Sequence, residues 1–300
     1  RSVGVTGVQT CALPILPRES QTLNVFSAPD ASDPASGTWA LLQGTPVSDS
    51  ASFQARWDED GVTVRVDVVD STTDPRDAVT LSTADGSWTL TRDGASPAGL
   101  QDVTVTTQAT GWSVVATLPK AGLSEGTVVP FEVSVTDDAA TAGWNGAGAL
   151  GSLVLVEALS STTAAWTATA PVVDGTVDDV WQDAPAVTTG KQIEGTDGAS
   201  ATVRTLWGGD DDPTLYVLFE VTDTTPDVTS SEVHEQDSVE LFLDLGNGKS
   251  SSYGAGSMQL RVNRDNVQSF GAGNVGDQQA RVTSAAVGRS EERRVGKECR

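Results

Sequence analysis

His234-Glu235-Gln236-Asp237-Ser238-Val239-Glu240-Leu241-Phe242-Leu243-Asp244 reads with a period of two. Val239, Leu241 and Leu243 fall on one face, and Ser238, Glu240, Phe242 and Asp244 on the other. That is the pattern of a strand with one apolar side. Gln259-Leu260-Arg261-Val262-Asn263 repeats it: Leu260 and Val262 turn inward while Gln259, Arg261 and Asn263 turn outward together. A carboxylate on one strand and an amide–guanidinium–amide row on another can line one concave sheet face. Planar donors and acceptors fixed on rigid strands suit a ligand rich in hydroxyl groups, such as a sugar.

The two ends of the chain read differently. Residues 5–15 (VTGVQTCALPI) and 289–299 (RSEERRVGKEC) are translations of common sequencing-library adapters. The expectation is therefore that 1–15 and 289–300 are adapter-derived and that 16–288 is the native segment. Cys11 and Cys299 both lie in these ends, so no disulfide or thiolate metal site is expected in the native segment. The chain carries 18 Lys and Arg against 41 Asp and Glu, net −23. Such a surface is repelled by polyanions, which argues against nucleic acid or anionic membrane as partners. No stretch is apolar enough to insert in a membrane.

Between the ends, runs of β-branched residues recur, separated by Gly, Asp, Pro and Ser, with no long helical periodicity. Leu23 to Phe26 is a short edge-like run. Phe53 to Trp57 and Val62 to Val69 form a hairpin around an acidic turn, with Val62, Val64, Val66 and Val68 on one side and Thr63, Arg65 and Asp67 on the other. Further strands follow to about Glu157. The class is all-β, with two tandem jelly-roll-like β-sandwiches. The first spans 16–157, a Ser/Thr-rich linker spans 158–165 and the second spans 166–288. Phe53–Trp57, acidic turn, Val62–Asp70 aligns with Thr202–Trp207, acidic turn, Leu215–Asp223, and Asp77–Leu81 aligns with Asp237–Leu241. The two units thus read as a repeat of one domain type. The second lacks counterparts of Gly111–Leu118, Pro130–Thr136 and Gly151–Val156, so it is expected to be truncated, with an open sheet edge.

Asp174-Gly175…Asp178…Trp181, then Leu206-Trp207…Leu215-Tyr216-Val217, then Glu235–Asp244 and Gln259–Asn263 resemble carbohydrate-binding module family 9 across 166–275. Unit 1 resembles the family more weakly. The resemblance implies β-sandwiches with structural calcium, standing C-terminal to the catalytic domain of secreted family 10 xylanases and binding the reducing ends of glucans and xylans. It implies hydrogen bonding to sugar by Glu240, Arg261 and Asn263, with Gln259 adjacent. His234 takes the place of one clamping tryptophan, and Trp144 of unit 1 matches the other. Unit 1 has Thr80 in place of the site glutamate and is expected to be a degenerate spacer or to bind something else. Asp174 and Asp178, or the acidic run 210–212, are the calcium candidates. The implied partners are plant cell-wall xylan and cellulose, the location extracellular.

Two other readings stay open, and catalysis by the chain itself is not one of them. Glu240 and Asp244 share a face but stand about 13 Å apart along a strand, too far for a glycosidase carboxylate pair. A spacer or cell-surface module without ligand is one alternative. A haem-binding sandwich using His234 and Met258, the one histidine and one methionine, is another.

Overall fold

The computed structural model describes residues 20–299, except 95–96, 147–148, 195–197, 210–213, 226, 251, 255, 274–281 and 287–291. The chain divides between Leu159 and Ser160. No α-helix occurs among the described residues.

In unit 1 the strands are β1 (Thr22–Ser27), β2 (Thr45–Pro46), β3 (Ala51–Trp57), β4 (Gly61–Val69), β5 (Ala78–Thr83), β6 (Gly86–Thr91), β7 (Gln101–Gln108), β8 (Gly111–Pro119), β9 (Val128–Asp137), β10 (Ala140–Gly143) and β11 (Gly151–Val156). They pair in the order β6-β5-β9-β11-β1-β3-β4-β8-β7. The alternating residues of the two layers meet in one core: Phe53, Val62, Val64, Val66, Trp112 and Val114 against Val79, Leu81, Phe131, Val133, Leu153 and Leu155. β1 is not an edge, as its short sequence suggests. It pairs parallel to β11 on one side and parallel to β3 on the other, which joins the layers, and Val25 is fully buried. Nor does the second face of β4 lie open. Ala28, Ala31 and Trp39 pack with Val115 over that face. Arg56 is buried there, donating to the Thr38 carbonyl at 2.8 Å with its Cζ 5.4 Å from the Trp39 ring centroid.

In unit 2 the strands are β12 (Ala165–Thr167), β13 (Ala186–Thr188), β14 (Ser200–Gly208), β15 (Thr214–Thr222), β16 (Ser238–Asp244), β17 (Ser257–Asn263), β18 (Gln268–Gly273), β19 (Val282–Ala286) and β20 (Glu292–Cys299). One sheet runs β12-β14-β15-β20-β19 and the other β16-β17-β18. Val217 and Phe219 of the first pack against Met258, Leu260 and Val262 of the second. On the outer face of β14 and β15, Trp181 and Ala184 pack with Leu206, Tyr216 and Leu218.

Pairing in the two units matches over part of one sheet. β12 lies parallel to β14 as β1 lies parallel to β3, and β15 and β20 follow where β4 and β8 do. Arg264 N–H donates to the Asp237 carbonyl at 3.1 Å, as Arg92 N–H does to that of Asp77. Two features differ from expectation. Residues 292–299, read as adapter-derived, pair along β15 from Thr222 to Leu215, because an open strand edge offers its backbone groups to any extended segment. Trp207, aligned with the partly buried Trp57, is 39% exposed. Its unit 1 counterpart Trp57 donates from Nε1 to the Val156 carbonyl of β11 at 2.7 Å, and no described strand of unit 2 stands in β11's place.

Candidate functional site

β16 and β17 pair antiparallel, with Glu240 opposite Arg261, Phe242 opposite Gln259 and Ser238 opposite Asn263. Their other face carries Leu241, Leu260 and Val262 into the core, so the fold cannot release the polar face without losing that burial. Arg261 donates from Nε to Glu240 Oε1 at 2.6 Å, and Gln259 from Nε2 to Glu240 Oε2 at 2.9 Å. Both carboxylate oxygens are thereby committed. The guanidinium is held by one corner, and its two terminal amines bond to no described residue. They are the donors left for a ligand.

Partial burial works against the charge of Glu240, but the hydrogen bonds from Gln259 and Arg261, the Arg261 charge and the nearby His234 outweigh it. The carboxyl is held below its ordinary value of 4.5. A depressed carboxyl contributes in full above its ordinary value and loses that contribution as pH falls through the depressed one. Retention of the chain on polysaccharide gels is therefore expected to be unchanged from about pH 7 to pH 5 and to weaken below about pH 4.

Asn263 sits differently from its sequence reading. It is buried; its Oδ1 accepts from the backbone N–H groups of Asp265 at 3.0 Å and Val267 at 2.8 Å, and its Nδ2 donates to Gln236 Oε1 at 2.8 Å. It shapes the turn after β17 instead of presenting a free amide. Gln236 is the residue that the sequence reading passed over. It shares the parity of Glu240, and from Nε2 it also donates to the Ser230 carbonyl at 2.6 Å. His234 stands exposed before the strand.

Gly271 of β18 lies against Gln259. A methyl group there would overlap the Gln259 side-chain amide. The amide is flexible enough to move away, so Gly271→Ala is expected to keep the fold by circular dichroism and weaken sugar binding roughly tenfold through the lost Gln259–Glu240 bond.

Trp144 requires correction as a clamp candidate. It is 6% exposed and packs on Phe53 with ring centroids 5.2 Å apart and on Phe131 at 6.4 Å. In unit 1, Thr80 lies opposite Thr89 where unit 2 has Glu240 opposite Arg261. The haem reading also fails: Met258 is buried in the core, whereas His234 is exposed.

Of the calcium candidates, Asp174 accepts from the Thr176 N–H at 2.8 Å and Asp178 from the Val172 N–H at 2.7 Å. Two carboxylates supply too few oxygens for calcium, so an ion there would draw on backbone carbonyls and water. Residues 210–212 lie outside the described residues. The acidic cluster found among the described residues is another, in unit 1: Asp70, Asp77 and Asp137, with ligand oxygens within 4.8 Å of one another. It holds its own cation. Arg92 donates from Nη1 to Asp70 Oδ2 at 2.7 Å and Asp77 Oδ2 at 3.1 Å, and also to the Thr72 carbonyl. Burial works against the charge of Asp70, but bonds from Thr72 and the Arg92 guanidinium hold its carboxyl below the ordinary value. Burial and then the charges of Asp70 and Asp77 push Asp137 up. With a guanidinium seated between these oxygens, the cluster does not fit a calcium ion as it stands.

Residues 173–292 match the family described as carbohydrate family 9 binding domain-like. The chain is 33% identical over 260 residues to exoglucanase XynX of Acetivibrio thermocellus, covering 77% of this chain and 23% of that protein. It is 32% identical over 260 residues to endo-1,4-beta-xylanase A of Thermoanaerobacterium saccharolyticum, covering 77% and 22%. The chain thus spans less than a quarter of the length of these curated relatives. Among solved structures, a carbohydrate binding module family 9 from Caldicellulosiruptor kristjanssonii in complex with cellotriose is similar at 27% identity and TM-score 0.37, over 46% of this chain and 67% of that one.

Proposed function

We propose, from the match of residues 173–292 to the carbohydrate family 9 binding domain-like family, that the chain is the non-catalytic, C-terminal polysaccharide-binding part of a secreted endo-1,4-β-xylanase. It holds the enzyme on plant cell-wall xylan and cellulose at their reducing ends, raising the local concentration of substrate. The observation that carries the reading is the Glu240–Arg261–Gln259 row on the outward face of β16 and β17, where Arg261 is 6% exposed and only its Nε is bonded to Glu240. Neutral sugar hydroxyls are suited to such a row, while the net charge of −23 disfavours acidic glycans. The matching strand order of the two units supports reading them as tandem copies of one domain type. Unit 1, with threonines at the two central site positions, is the spacer.

Native gel electrophoresis of the chain through xylan or β-glucan tests the proposal. Retardation is expected, relieved by free xylobiose or cellobiose but not by the same disaccharides after borohydride reduction of their reducing ends. Unchanged migration of a folded chain would overturn the binding reading. Competition by the reduced sugars would overturn the end-binding one.

A further inference from the structure

The polar row does not end at Gln259. Opposite it on β16 stands Phe242, 57% exposed and on the same face as Glu240. Tyr253, on the loop joining β16 to β17, is 48% exposed. The two rings line one cavity of about 340 Å³, shared with Asp244, Ser250, Ser252 and Ser257. A cavity of that size lies in the range of small-ligand sites.

The openness of this face belongs to the fold. In unit 1, where the sheet continues from β5 through β9 to β11, the matching positions are Ser82 and Ser87, and neither is buried. Unit 2 therefore places a large aromatic ring where the fold leaves a solvent-facing position, and exposing such a ring without a partner loses its burial energy. The loop bearing Tyr253 is pinned. Asp244 accepts from the Lys249 N–H at 2.7 Å, the Leu245 N–H donates to the Gly256 carbonyl at 3.0 Å, and the Ser257 hydroxyl accepts from the Gly254 N–H at 3.2 Å. The ring is thus carried on a preorganised turn, which lowers the ordering cost of binding.

We propose that Phe242 and Tyr253 form the aromatic wall of a second saccharide subsite, which takes the next neutral pyranose of a chain whose terminal ring is held by Glu240, Gln259 and Arg261. This rests on the function proposed above. Side chains two residues apart on one face of a strand stand about 7 Å apart, so Phe242 lies roughly one sugar residue along from Glu240. A pyranose offers an apolar face of C–H groups to an aromatic ring and hydroxyls at its rim, and the rim of this cavity is serine. The subsite supplies an aromatic wall to the unit 2 site, where His234 stands in a clamping tryptophan's place.

Calorimetric titration of the full chain with xylose, xylobiose and xylotriose, and with the glucose series, tests this. Affinity is expected to rise about tenfold from monosaccharide to disaccharide. In Phe242→Ala and Tyr253→Ala that rise shrinks to within about twofold while monosaccharide affinity stays unchanged. In Glu240→Gln the monosaccharide affinity itself falls. A double variant that still gains affinity with chain length overturns the subsite and leaves the sugar-binding reading standing. Absence of binding to every sugar by the folded, unsubstituted chain overturns both. Both rings are about half exposed, so circular dichroism of the variants is expected to match the parent.

Discussion

Replacing Arg92 with alanine is expected to destabilise unit 1 by roughly 3 kcal/mol, a fall in melting temperature of about 10 °C. The guanidinium sits among Asp70 and Asp77 with all three side chains almost wholly out of solvent. Removing it leaves two buried carboxylates facing each other and Asp137 with no counter-charge between them. That is costlier than the net worth of the pair, because the remaining charges stay desolvated. Differential scanning calorimetry of the chain with and without the substitution measures the loss. In the variant these carboxyls are pushed up in the folded state. The penalty is then complete only above those raised values and is lost as pH falls from them to below the unfolded ones, so the two melting curves converge below about pH 4. Calcium is expected to restore part of the lost stability in the variant and none in the parent, since only the variant leaves the three oxygens free to ligate. A variant that melts with its parent would show that the cluster carries no net strain.

Arg261→Ala is expected to abolish retention on polysaccharide gels, with a loss of at least about thirtyfold in affinity, equivalent to roughly 2 kcal/mol for charge-assisted hydrogen bonds. The substitution removes the two free amines and also the bond from Nε that orients Glu240. Arg261→Lys keeps the charge but not the planar fork, and recovers only a fraction of the binding. Retention of the alanine variant equal to that of the parent would remove this face from consideration as the sugar site.

The period-two reading of 238–244 and 259–263 put Glu240 and Arg261 on outward faces, and the register that sets them opposite each other follows because side-chain alternation and the buried apolar set fix a strand's pairing. The sandwich class was equally legible from the recurring valine runs, whose alternate members fill the core of unit 1. What escaped the sequence depends on contacts distant along the chain. Trp144 lies in a Gly- and Ala-rich stretch that looks exposed, yet it folds back onto Phe53 and Phe131. Asn263 has the right residue type and parity for a ligand contact, but its amide is taken by the turn that follows it. The Asp70–Asp77–Arg92–Asp137 cluster is assembled from separate elements, and no spacing announces it. Phe242 was visible on the outward face of its strand. Its partnership with Tyr253 needed the loop's path.

The double parallel pairing of β1 bears on how quickly unit 1 assembles. Thr22 meets Ser152 and Phe26 meets Arg56, so the strand that stitches the layers needs partners from the far end of the unit and from its near part together. Closing so long a stretch of chain costs entropy before any of these bonds reward it, and ordering dominated by distant partners is slow. The sheet of β16, β17 and β18, by contrast, joins neighbours in sequence and needs only short closures. β16 and β17 can therefore reach their register early, while unit 1 waits for its first strand and its last to find one another.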